Sequence, residues 1–200
     1  MAEAAARLRR GELLGAWEYG QAIAALRRAR HWEEALSVLP QMRRQGLEPN
    51  VIAYTAAISA CETGQQWQLA VALLGELLQA GLEPTVVSYN AAISACRKGC
   101  QWQVALGLLA EVPTVGLEAQ TVSYSAAISA CEKAVQWPLA LWLLAEMPAM
   151  KLAADTVSYS AAISTCEKAL QWRLALALLA EMQAAGLHPD TVSYNAAISA

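Results

Sequence analysis

Apolar residues return at i, i+3, i+4 and i+7 along two successive stretches of this chain. Tyr54, Ala57, Ile58 and Cys61 form one stripe; Trp67, Ala70, Val71 and Leu74 form the next. That spacing is the period of an α-helix with one buried face. Between them, "ETGQQ" reads as a short turn, with Gly64 placed to end the first helix. After the second comes "AGLEPT", where Gly81 is suited to stop the helix and Pro84 to block its continuation. The second helix also carries Leu69 and Leu73 beside its stripe. It is apolar over most of its circumference and must be covered on more than one side. One helix pair cannot do that, but a stack of pairs can.

The helix pair repeats. Tyr stands at 19, 54, 89, 124, 159 and 194, Trp at 32, 67, 102, 137 and 172, and Cys at 61, 96, 131 and 166, always in steps of 35. The chain therefore divides into five units, 16–50, 51–85, 86–120, 121–155 and 156–190, followed by a truncated sixth at 191–200. Gly11 lies 35 before Gly46, so residues 1–15 read as an N-terminal helix or the remnant of an upstream repeat. Both ends look open, and a monomer or a piece of a longer array is expected. Pro138 falls in a first helical turn, where proline is tolerated. Pro113 and Pro148 should shorten their helices, and Pro40 should kink its own.

Composition narrows the class. The 200 residues are 56% hydrophobic and 16% charged, too apolar for a disordered chain. A net charge of −3 excludes a broadly polybasic nucleic-acid binder but leaves room for a local basic stripe. No apolar run reaches the ~18 residues of a membrane span. Arg7, Arg9 and Arg10 lie among alanines, but Glu3 and Glu12 interrupt any organelle presequence pattern. Five Cys without a secretion signal read as reduced thiols. The 35-spaced Tyr, Trp and Cys are expected in the core. Cys96 and Cys100 are four apart, with His31 and His188 distant in sequence, so no metal or cofactor is expected. There is no HExxH, no CxxC and no Gly-rich phosphate loop, and nothing supports an enzyme.

The face opposite the first stripe is polar: Thr55, Ser59 and Glu62, then Asn90, Ser94 and Arg97, then Ser125, Ser129 and Glu132, then Ser160, Ser164 and Glu167. Within it some places vary from unit to unit while their neighbours stay fixed. The fifth place reads Gly20, Thr55, Asn90, Ser125, Ser160 and Asn195; the last reads Asn50, Thr85, Gln120, Asp155 and Asp190. Such side chains suit hydrogen bonding to a base edge. The second place reads Trp17, Ile52, Val87, Val122, Val157 and Val192, which suits packing on a base face. Arg28, Lys98, Lys133 and Lys168 recur near the end of the first helix, where they suit a phosphate chain. The bland reading stands beside each: the last-place residues would cap helices, and the cations would complement helix C-termini. The Glu residues at 76, 111, 146 and 181 read as a solvated face.

A 35-residue unit of the form "VVSYNAAISACRKG…ALGLLAEV…GLEAQ" resembles the pentatricopeptide repeat over residues 16–200. The Trp opening each second helix is not a usual residue of that pattern. The resemblance implies an all-α, right-handed α-solenoid of stacked antiparallel helix pairs, related in architecture to tetratricopeptide repeats. It also implies sequence-selective binding of single-stranded RNA, about one base per repeat. Fifth- and last-place residues would choose the base, second-place residues would sandwich it, and Ser with Asp would lean towards guanine. Organellar RNA metabolism is implied, chloroplast ahead of mitochondrion, by resemblance alone. Two alternatives stay open: a helical scaffold binding a protein or peptide, and a non-functional fragment of a longer array.

Overall fold

The computed structural model describes residue 7 and residues 15–200, so the expectation for 1–15 falls almost wholly outside the described residues. Among the described residues all regular structure is helical, in eleven α-helices. In chain order these are α1 (Ala16–Arg28), α2 (Trp32–Arg44), α3 (Val51–Thr63), α4 (Trp67–Gln79), α5 (Val86–Lys98), α6 (Trp102–Thr114), α7 (Thr121–Lys133), α8 (Trp137–Glu146), α9 (Thr156–Lys168), α10 (Trp172–Ala184) and α11 (Thr191–Ser199). Odd-numbered helices are the first members of the repeats and even-numbered ones the second. The chain forms two compact units that divide between Gly99 and Cys100.

Each unit is a stack. In the first, α1 packs on α3 and α3 on α5; in the second, α7 packs on α9 and α9 on α11. The second helices fill the spaces behind: α2 lies against α1 and α3, α4 against α3 and α5, α8 against α7 and α9. Small residues make the first row tight. Ala57 and Ala60 are fully buried in α3, as are Ala127 and Ala130 in α7. Between the rows lie Tyr19, Tyr54, Tyr89 and Tyr124, all at most 5% exposed, with Ile58, Ile93, Ile128 and Ile163 fully buried. Cys61, Cys96, Cys131 and Cys166 are fully buried free thiols. Burial pushes Cys61 up to about 12 and Cys96 and Cys131 to about 11, so they behave as small hydrophobes.

The tyrosine hydroxyls explain a second recurring residue. Arg43 donates to Tyr54 Oη and pairs with Glu76 at 2.8 Å. Tyr124 is pushed up to about 12 by burial, then by the charge of Glu146, which also accepts its hydrogen bond. Burial raises Tyr159 as well, with Glu181 adding to it. Glu146 and Glu181 thus face the tyrosines of their own repeats, and Glu76 reaches Tyr54 through Arg43, so these are not simply a solvated face.

The tryptophans are half-buried, and Trp172 is 52% exposed, so they are not core in the sense expected. Their position clarifies the glycines. A Cβ on Gly64 would stand 2.5 Å from the Trp32 ring, and Gly99 meets Trp67 in the same way. Gly64 does not end α3 by adopting a left-handed conformation; its φ is −84°. The left-handed residue is the next one, Gln65, and the same place holds Arg30, Cys100, Val135 and Leu170, all with φ between 55° and 61°. Gln65 N–H bonds Glu62 O and Gln66 N–H bonds Cys61 O, the pair of bonds of a Schellman closure. Gly81 does end α4 as expected, with φ +69°.

The prolines divide. α2 runs through Pro40 over thirteen residues without interruption, and α6 reaches Thr114 past Pro113. α8 stops at Glu146, before Pro148, and is three residues shorter than its sisters.

Candidate functional site

Within each unit, consecutive first helices leave a groove between them, and the variable places line it. In the first unit the groove holds about 370 Å³ and is lined by Ile52 and Val87 with Thr55, Ser59 and Thr85. In the second it holds about 230 Å³ and is lined by Val157 and Val192 with Ser160, Ser164 and Asp190. The same places build both, although the two stretches are 105 residues apart in sequence. The second-place residues form its apolar walls. Trp17, Ile52, Val87, Val122, Val157 and Val192 are 53–68% exposed, in contrast to the buried Tyr19, Tyr54, Tyr89 and Tyr124 two residues after the first four of them.

Last-place residues sit one residue before the next first helix, and they cap it. Asn50 Oδ1 accepts from Ala53 N–H, Thr85 Oγ1 from Ser88 N–H, Asp155 Oδ1 from Ser158 N–H and Asp190 Oδ1 from Ser193 N–H. Gln120 instead donates its backbone N–H to Ser123 Oγ. Capping keeps these side chains at the mouth of the groove. The Asp190 carboxyl is held below the usual carboxylate range by the Ser193 N–H and O–H.

Two fifth-place residues meet their last-place partners. Thr55 Oγ1 lies 2.7 Å from Ser88 Oγ, which lies 2.9 Å from Thr85 Oγ1. Ser160 Oγ lies 2.8 Å from Ser193 Oγ and 3.4 Å from Asp190 Oδ1. Ser125 instead donates to Val122 O at 3.1 Å. Gly20 is buried and abuts Ile52. Asn90 and Gln120 belong to different compact units. Asn195 is exposed.

Three differences from the sequence reading stand out. The serine stripe is not an open polar surface: Ser125, Ser129, Ser160 and Ser164 are 6–9% exposed, with only an edge reaching the groove. The cation row is partly compensated: Lys98 Nζ pairs with Glu62 at 3.3 Å and Lys168 Nζ with Glu132 at 2.8 Å. Arg28 and Lys133 are exposed. Finally, sequence reasoning missed the third place. Ser88, Ser123, Ser158 and Ser193 are fully buried, and Ser88 and Ser193 bridge a fifth place to a last place. The recurring "VSY" was the available signal.

The pentatricopeptide repeat domain pattern matches residues 37–98 and 142–200, and the single-repeat pattern matches 19–47, 87–117 and 122–152. The chain belongs to the pentatricopeptide repeat family. Among solved structures it is similar to the pentatricopeptide repeat protein PPR10 from maize, at 29% identity and a TM-score of 0.77, over 93% of this chain and 27% of that one. It is also similar to PPR10 in complex with an 18-nt psaJ RNA element, at 26% identity and a TM-score of 0.75, over 98% and 28%. The chain thus spans little more than a quarter of that protein. The PPR domain of Arabidopsis thaliana protein-only RNase P 1, solved in complex with tRNA, shares the fold at 11% identity and a TM-score of 0.75, over 88% and 92%. The fold is the helical-repeat solenoid of this family. No curated protein sequence matches the chain.

Proposed function

We propose that this chain binds single-stranded RNA along its first helices, about one base per repeat. The observation that carries this is the groove built twice from the same places: two exposed aliphatic walls, with hydrogen-bonding side chains fixed at the rim. A base entering it would pack on Ile52 and Val87, or on Val157 and Val192, and present an edge to the fifth- and last-place residues. Gly20/Asn50, Thr55/Thr85, Ser125/Asp155 and Ser160/Asp190 are the reading pairs, with Asn90, Gln120 and Asn195 as single reading residues. Trp17 and Val122 serve as further walls, and Arg28, Lys98, Lys133 and Lys168 are the phosphate contacts. PPR10 in complex with RNA supports the reading. The chain acts by binding, without catalysis of its own, and family resemblance puts its work in organellar RNA processing, chloroplast ahead of mitochondrion.

Fluorescence anisotropy with labelled oligouridine at low salt tests this. Saturable binding, weakened when Ile52 and Val157 are both changed to Asp, is expected. A folded chain that ignores RNA would instead favour a protein or peptide in the groove, a reading to which the net charge of −3 and the Glu62 and Glu132 pairs lend weight.

A further inference from the structure

The proton on Ser160 has only one direction to go. Ser193 Oγ lies 2.7 Å from Asp190 Oδ1 and is fully buried. An ionised carboxylate only accepts, so the single Ser193 hydroxyl proton belongs to Asp190. Were it turned to Ser160, the Ser193 and Asp190 oxygens would face each other lone pair to lone pair. The 2.8 Å contact between Ser160 and Ser193 must then be a hydrogen bond donated by Ser160. Asp190 Oδ1 lies 3.4 Å from Ser160 Oγ, beyond the length of a good O–H···O bond, so Ser193 Oγ is the acceptor that holds the proton. Ser160 therefore turns no proton to the groove, only a lone pair. Asp190 meets Ser160 and Ser193 through Oδ1, which leaves Oδ2 as a further acceptor.

We infer that Ser193 is a specificity-determining positioning residue: by handing its proton to Asp190 it fixes Ser160 as an acceptor, so the last complete repeat takes a base edge carrying two neighbouring donors. This rests on the RNA reading above. Among the four bases only guanine offers an adjacent ring N–H and exocyclic amine; adenine presents a ring acceptor there and meets a lone pair. The preceding repeat reaches the same polarity by another route, because Ser125 donates to the Val122 carbonyl. The second repeat does not. Thr55, Ser88 and Thr85 form a chain of neutral hydroxyls that runs equally well in either direction. That groove can offer a donor or an acceptor and should tolerate any base.

The test uses the full chain and oligouridine carrying adjacent GG, GA, AG or AA. Wild type should prefer GG, with adenine disfavoured at each position. Ser193→Ala should relax discrimination at one position only, by about fivefold, the scale of one mismatched hydrogen bond, while Ser193→Thr preserves it. Ser158→Ala is the control, because Ser158 donates its hydroxyl to Asp155 in the same way but holds no fifth-place hydroxyl; it should leave both positions selective. Unchanged selectivity in folded Ser193→Ala, or equal loss in Ser158→Ala, overturns the inference while leaving RNA binding intact. Absence of any RNA binding by wild type removes the underlying reading, and this inference with it.

Discussion

Val135 is a β-branched residue held at φ +55°, in a region that L-residues enter at a cost of roughly 1–2 kcal/mol. It is 40% exposed, so little packing offsets that cost. Val135→Gly should therefore stabilise the chain by about 1 kcal/mol, even though glycine is the more flexible residue. Thermal unfolding should show a midpoint a few degrees higher; a lower midpoint would mean the valine side chain contributes packing that outweighs the backbone strain. Nothing in the sequence pointed to this place. Arg30, Gln65, Cys100, Val135 and Leu170 share no chemistry, and glycine, the usual marker, stands one residue earlier in two of the repeats. The corner is set by the closing hydrogen bonds, while Gly64 and Gly99 answer to the Trp rings beside them. A pattern read along the chain sees a glycine near a helix end and cannot tell these two demands apart.

The helices themselves were legible, because a 3.6-residue apolar period repeated five times leaves few other solutions. Their ends were less so. Pro113 and Pro148 occupy the same place in successive repeats, yet only α8 stops short. At helix starts the sequence did carry the answer, since Asn, Thr and Asp before an apolar run are capping residues. What it could not show is that capping and groove lining are one role. Asp155 accepts from both the N–H and the hydroxyl of Ser158 through Oδ1. Asp155→Ala should cost about 1 kcal/mol, and Asp155→Asn should recover most of it. Urea denaturation separates the three proteins. If alanine were neutral, the cap would be incidental and Asp155 would be held for the groove alone.

Across the chain, charge decides how firmly an RNA backbone could be held. Four cations in register would give a salt slope near −3, at roughly −0.7 per phosphate neutralised on a single strand. Lys98 and Lys168 already face Glu62 and Glu132, each from the preceding repeat of its own unit. These pairs are partly exposed and contribute little to stability. They nonetheless place a carboxylate where each phosphate would come, and Glu132 lines the groove itself. The cation row was visible in the sequence, but its compensation was not, because a Glu and a Lys in neighbouring repeats become partners only once first helices stack. Compensation of these two lysines removes about 1.4 from the slope. Glu62→Gln together with Glu132→Gln should release both lysines, tighten RNA binding at low salt and steepen the slope towards −3. The substitutions leave the caps and apolar walls untouched, so base preference should not move. A steep slope already present in the wild-type chain would show that phosphate displaces both carboxylates, and that the lysines were available throughout.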